Sequence, residues 1–216
     1  MHIGSQITTT RPYVMAIRKL AGMVNELRRV GVLLEYVDIG GGMGIIYRDE
    51  TPPTPVEFAA AVVPLLRGMQ ATILFEPGRF LVGNAGVLLT TVQYVKRTAA
   101  KTFVIVDAGM NDLIRPALYE AYHEIVPVRA RRGAARVVDV VGPICESGDF
   151  LAQGRSLPPV QAGDVLAVRG AGAYGFAMAS NYNSRPRAVE LMVCGRRTRV
   201  VRRRETWDEL IAAERD

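Results

Sequence analysis

The spacing of apolar residues changes once along this chain, near Gly83, and that change constrains the fold more than any other feature. Before it, helix-like and strand-like stretches alternate. Val14, Ile17, Ala21, Val24 and Leu27 recur at helical spacing over residues 13–29, and Gly31 is a natural stop. Tyr36-Val37-Asp38-Ile39 reads as a short strand running into Gly40-Gly41-Gly42-Met43-Gly44. A second helix opens at Thr54-Pro55-Val56-Glu57, where Thr54 caps, Pro55 suits the first turn and Glu57 bonds back to the cap. It runs towards Gly68, with Pro64 as an expected kink. Thr72-Ile73-Leu74-Phe75 then reads as a buried-type strand ending in Glu76-Pro77-Gly78-Arg79. Helix then strand, twice, predicts parallel strands with helical crossovers.

Beyond Gly83 the apolar runs are short and bounded by turn residues. Residues 86–95, 102–106, 126–129, 136–141, 165–168 and 188–193 read as strands of an antiparallel β domain. A last helix is expected from Thr206, with Glu209 completing a second capping box.

The 216 residues are 49% hydrophobic and 22% charged, which is enough to bury a core. No apolar run reaches the ~18 residues of a membrane span. The start, Met1-His2-Ile3-Gly4-Ser5-Gln6, lacks the charged and apolar regions of a secretion signal. Two cysteines, Cys145 and Cys194, are too few for a disulfide framework or a cysteine-rich metal site, so a cytoplasmic protein without a bound metal is expected. The net charge is +6, carried mostly by arginine, because Lys19, Lys96 and Lys101 are the only lysines. The basic residues are scattered except over 196–204, which reads as a solvated strand or hairpin, with a phosphate-binding patch as the alternative.

Several motifs sit where chemistry is expected. Gly40 to Gly42 follow a strand, where backbone approaches a phosphate unhindered by a Cβ; alone, the run is equally a tight turn. Glu76 and Arg79 are either a surface ion pair or groups addressing two ends of a charged ligand. Cys145 lies beside carboxylates in the turn Gly142-Pro143-Ile144-Cys145-Glu146-Ser147-Gly148-Asp149, a poor core site that favours a reactive or proton-donating thiol. Arg115 and Tyr119 share a helical face if residues 114–119 are helical. Residues 173–175 and 181–187 read as loops presenting polar aromatic groups, and His2 and His123 are the only histidines.

Taken in order, His2-Ile3-Gly4-Ser5-Gln6, Asp38 to Gly42, Glu76-Pro77-Gly78-Arg79, Asp107-Ala108-Gly109-Met110-Asn111-Asp112, Arg115-Pro116-Ala117-Leu118-Tyr119, Gly142 to Asp149 and Gly172-Ala173-Tyr174-Gly175 resemble the diaminopimelate decarboxylases. These are pyridoxal 5'-phosphate enzymes built from an alanine-racemase-like barrel and a β domain. The resemblance runs from His2 to about Arg187 and covers the C-terminal half of the family's length. It implies an α/β plus all-β fold: residues 1–82 as an incomplete C-terminal part of a (β/α)8 barrel, 83–205 as the antiparallel β domain and 206–216 as a C-terminal helix. A complete barrel takes about 250 residues.

The same resemblance implies roles residue by residue. His2 would stack on the cofactor ring, Ser5 and Gly40, Gly41 and Gly42 would hold its phosphate, and Glu76 would face the pyridine nitrogen, with Pro77, Gly78 and Arg79 in the same motif. Arg79, Arg115 and Tyr119 would bind substrate carboxylate. Cys145 would be the proton donor, Glu146 would read the substrate's distal amino-acid end, and Tyr174 would touch both cofactor and substrate. The activity implied is conversion of meso-2,6-diaminopimelate to L-lysine and CO2. A homodimer sharing Cys145 and Glu146 between subunits is implied, with no nucleic-acid or membrane partner. Cys145-Glu146, with Arg115 and Tyr119, favours this branch over the ornithine and arginine decarboxylases.

None of Lys19, Lys96 and Lys101 matches the family's Schiff-base lysine, which lies on an earlier strand. The expectation is therefore a chain inactive by itself that aggregates, oligomerises or needs a complementing N-terminal half, because its unclosed barrel strands leave an unpaired edge and an apolar face. The alternatives are a non-catalytic decarboxylase-like partner that dimerises with an intact enzyme, a fragment of a related ornithine or arginine decarboxylase and, through the arginines of 196–204, a nucleic-acid binder.

Overall fold

Thr10 precedes the first helix, Arg11–Arg29 (α1), which starts two residues before the apolar periodicity does because Pro12 is suited to its first turn. Its buried stripe of Tyr13, Ile17 and Val24 packs on the helix Pro55–Leu66 (α2), whose Phe58, Val62 and Leu66 complete the contact. The Tyr13 and Phe58 rings meet edge to face, centroids 4.9 Å apart. The capping box at α2 forms as the sequence predicts: Glu57 N donates to Thr54 Oγ1 at 3.3 Å, and Thr54 N donates to Glu57 Oε2 at 2.8 Å. The strands flanking α2, Tyr36–Asp38 (β1) and Thr72–Leu74 (β2), pair in parallel, with Tyr36 opposite Thr72 and Asp38 opposite Leu74. A short helix, Gly78–Val82 (α3), follows. The computed structural model describes residues 1–215, and these elements form the first of its two compact units, Met1–Ala85.

The second unit begins at Gly86. Its strands are Leu88–Arg97 (β3), Thr102–Val106 (β4), Ile125–Pro127 (β5), Arg136–Val141 (β6), Phe150–Leu157 (β7), Val165–Val168 (β8), Glu190–Cys194 (β9) and Arg197–Arg202 (β10). The helices are Arg115–Tyr119 (α4) and Trp207–Leu210 (α5). Six strands form one sheet in the order β5-β8-β3-β4-β6-β7. Val92, Val104, Val106, Val140, Leu166 and Val168 supply the middle of its core.

Two features depart from the sequence reading. The sheet is not purely antiparallel, because β4 and β6 run parallel, Val104 opposite Val140. The connection between them carries α4 and β5 and is long enough to return the chain to the start of β4. Strand β7 has no counterpart in the predicted strands, since Gln153, Gly154 and Arg155 interrupt its apolar pattern. Gly154 sits at a φ of +58° and its N–H donates to Asp139 Oδ1 at 2.7 Å, a local irregularity where the β6–β7 register shifts.

The arginine run forms the hairpin of β9 and β10, as the simpler sequence reading has it. Arg202 pairs with Glu190 at 2.7 Å and stands 4.3 Å over the Phe176 ring, while Arg203 pairs with Glu209. Among the described residues no helix is long and apolar enough to cross a membrane, and no cluster of His, Cys, Asp and Glu is arranged to hold a metal.

Candidate functional site

The predicted site residues fall into two groups, one in each unit. In the first unit the organising feature is Gly40 to Gly42, and each glycine admits a different segment of backbone. A Cβ on Gly40 would lie 2.1 Å from the Met1 carbonyl oxygen, one on Gly41 1.9 Å from that of Glu76, and one on Gly42 2.2 Å from that of Gly4. Gly40 and Gly42 also take φ values of +77° and +89°, which L side chains rarely adopt. The run therefore draws the His2–Ser5 and Glu76–Arg79 motifs to one strand end. Asp38 Oδ1 accepts from Gly40 N at 2.7 Å, Glu76 N donates to the Gly40 carbonyl at 3.0 Å, and Ile7 N donates to the Gly42 carbonyl at 2.9 Å. Beneath the loop, the buried Tyr13 hydroxyl donates to the Gly41 carbonyl at 3.0 Å, and burial pushes its pKa up to about 12.

Arg79 crosses this end of the unit. Its guanidinium donates to Ser5 Oγ at 2.8 Å and to the Tyr47 hydroxyl at 2.6 Å. His2, Ser5 and Glu76 are exposed, Pro77 and Gly78 lead into α3, and Arg79 is half-buried. Backbone turns free of Cβ atoms, a hydroxyl beside a guanidinium and an exposed carboxylate fit a phosphate-bearing pyridine. Tyr47 carries no motif, so its hold on Arg79 was not legible in the sequence.

In the second unit the turn of residues 142–149 holds Cys145 and Glu146 exposed, and the Tyr182 hydroxyl donates to Glu146 Oε2 at 3.3 Å. Beside them lies a cavity of about 450 Å³ lined by Met110, Asn111, Ile114, Glu146, Ser180 and Tyr182. The Asn111 side chain, 1% exposed, has neither amide atom partnered among the described residues. Tyr174 is exposed and sits at a φ of +58°, an uncommon conformation for an aromatic residue.

Arg115 and Tyr119 do fall on one short helix, α4, but they do not share an environment. Tyr119 is 60% exposed, whereas Arg115 is 7% exposed and donates through Nη1 to His123 Nε2 at 3.0 Å. His123 is wholly buried, and its Nδ1 lies 2.9 Å from the Arg169 carbonyl oxygen. That carbonyl only accepts, so Nδ1 carries the proton and Nε2 is left as the acceptor for Arg115. His123 thus orients a predicted substrate residue, a role its sequence position did not reveal.

The chain matches the C-terminal sheet domain of the pyridoxal-dependent decarboxylases over residues 13–172. It is 54% identical over 213 residues to diaminopimelate decarboxylase of Pseudomonas fluorescens, covering 99% of this chain and 51% of that protein. The crystal structure of diaminopimelate decarboxylase from Helicobacter pylori complexed with L-lysine is 41% identical, with a TM-score of 0.93 over 99% of this chain and 53% of that one. That of the M. jannaschii enzyme in co-complex with L-lysine is 40% identical, with a TM-score of 0.94 over 100% of this chain and 51% of that one. The chain spans about half the length of the curated relatives it matches.

Proposed function

The chain belongs to the pyridoxal-dependent decarboxylases, and on that premise we propose that it is the C-terminal half of a diaminopimelate decarboxylase, releasing CO2 from meso-2,6-diaminopimelate to give L-lysine. The observation that carries the reading is the convergence of the His2–Ser5 and Glu76–Arg79 segments on the glycine run. Residues 1–82 are read as the last strands of a (β/α)8 barrel and 83–205 as its partner β domain; of the terminal helix expected over 206–216, Trp207–Leu210 is α-helical and residue 216 lies outside the described residues. Two parallel strands with a helical crossover support the barrel assignment.

When bound, pyridoxal phosphate supplies the electron sink for the pair left behind by CO2. Gly40, Gly41, Gly42 and Ser5 would hold its phosphate, His2 would take its ring, and the Glu76 carboxylate would favour a protonated ring nitrogen. Arg79, with Pro77 and Gly78 setting its turn, and Arg115, oriented by His123, attract substrate carboxylate; Tyr119 and Tyr174 add hydroxyls. Glu146 binds the distal ammonium. The Cys145 thiol delivers the proton that replaces CO2. The reading carries with it a cytoplasmic homodimer in which Cys145 and Glu146 serve the partner's site, and a covalent lysine anchor supplied by preceding barrel strands.

The test compares the purified chain with the chain plus a polypeptide supplying those strands and their lysine, each given pyridoxal phosphate and meso-diaminopimelate. Lysine is expected only from the mixture. Lysine released by the chain alone overturns the half-enzyme reading.

A further inference from the structure

We propose that Asp149 is the positioning residue that seats Cys145 and Glu146, by clamping their turn onto the neighbouring loop of residues 109–112. The inference rests on the reading of those two residues as the groups delivered to substrate. Asp149 is nine-tenths or more buried, yet its carboxylate meets no ion-pair partner within hydrogen-bond distance among the described residues. Two backbone N–H groups bind it instead: Met110 N donates to Oδ1 at 2.7 Å and Ile144 N donates to Oδ2 at 2.5 Å. One oxygen thus holds the 109–112 loop and the other holds the residue next to Cys145.

The space for this carboxylate is built by two glycines. A Cβ on Gly142 would stand 2.6 Å from both carboxylate oxygens, and one on Gly109 would stand 2.8 Å from Oδ1. The backbone closes the same turn, with Gly142 N donating to the Asp149 carbonyl at 3.2 Å, Asp149 N to that of Glu146 at 3.0 Å and Glu146 N to that of Ile144 at 2.8 Å. The receiving loop is fixed in turn, because Gly109 N donates to Asp112 Oδ2 at 3.0 Å. An asparagine at 149 cannot replace the carboxylate, since its NH2 would face one of the two N–H donors. Burial raises the Asp149 pKa, the cost of placing a carboxylate here, and the two N–H donors oppose that rise.

The experiment compares Asp149→Asn and Gly142→Ala with the parent chain; the second crowds both the carboxylate and Gly109 Cα, 2.6 Å from its Cβ, without removing the carboxylate, so Asp149→Asn decides. Amide hydrogen exchange is read on the full chain. Turnover of meso-diaminopimelate and pyridoxal phosphate affinity are read on the chain complemented with the lysine-bearing strands. In both variants we expect exchange at Met110 and Ile144 to speed up about tenfold or more, with Val104 and Val140 unchanged. The same variants should lose about tenfold or more in kcat with cofactor affinity unchanged. Retained protection at Ile144 in Asp149→Asn overturns the clamp. Protection lost at Val104 as well, or cofactor affinity falling with kcat, reduces Asp149 to a structural residue and also overturns it. Failure of the decarboxylase reading shows separately, as no lysine from the complemented parent, and leaves the exchange result to decide.

Discussion

Gly41→Ala isolates the role of the glycine run in the protein itself from any role in holding a phosphate. The added Cβ would sit 1.9 Å from the Glu76 carbonyl oxygen and 2.8 Å from its carbon, against an ordinary contact of 3.4 Å or more. Neither neighbour is the end of a flexible side chain, so the strand end itself must retreat by about 1.5 Å. That movement breaks the hydrogen bond from Glu76 N to the Gly40 carbonyl, now 3.0 Å. Overpacking costs about 1–3 kcal/mol and a lost hydrogen bond about 1 kcal/mol, giving about 2–4 kcal/mol together. For a unit of this size that is a fall in Tm of about 8 °C or more. Far-UV circular dichroism at the helix band reads it, because α1 and α2, the long helices, both lie in the same unit as the glycines. The measurement needs no cofactor. A Tm within about 2 °C of the parent would mean that Gly41 has no steric role in the fold, since a glycine kept only for a phosphate is silent in its absence.

Other outcomes follow from the same geometry. His123→Leu removes the acceptor of a buried charge-assisted hydrogen bond from Arg115 and should cost about 1.5–3 kcal/mol in urea unfolding. Leu166→Ala, at a fully buried position in the six-stranded sheet, should cost about 2–5 kcal/mol by the same assay. The side-chain hydrogen bond from Arg131 holds the Asp164 carboxyl down to about 2 from its ordinary 3.8. The stability this gives is fully present above about pH 4 and is lost as pH falls towards about 2, so Arg131→Ala should flatten that limb of an acid titration. Asp149 and Asp112 act with the opposite sign: burial raises both, so the penalty of ionising them sets in as pH rises past 3.8.

The parts of the fold legible in the sequence are those set by local chemistry. Thr54 with Glu57 and Thr206 with Glu209 form capping boxes because each needs only four consecutive residues. The β1-α2-β2 crossover follows from two short apolar runs on either side of the Thr54–Glu57 cap, although β2, expected to be a buried-type strand, leaves Thr72 and Leu74 exposed. Strand β7 was not legible, because burial of Leu151, Ala152 and Leu157 is set by β6 across the sheet while the residues between them are polar. The parallel pairing of β4 with β6 is likewise a property of the long connection and not of either strand. At the site, the glycine run was visible as a motif, but its contacts with residues 1, 4 and 76 are tertiary. Arg115 and Tyr119 show the limit of helical spacing: four residues apart, they part company because His123 draws one inward. The roles of Tyr47 and His123 depend on partners 32 and 8 residues away, beyond the reach of any local pattern.

The most direct test of the central claim is substrate choice by the chain assembled with its lysine-bearing complement. In separate reactions at equal concentration, meso-diaminopimelate, L-lysine and L-ornithine are each supplied with pyridoxal phosphate, and the amine or amino acid formed in each is quantified. L-lysine is expected from meso-diaminopimelate, with neither cadaverine nor putrescine formed at a comparable rate. Cadaverine or putrescine appearing faster than L-lysine would contradict it.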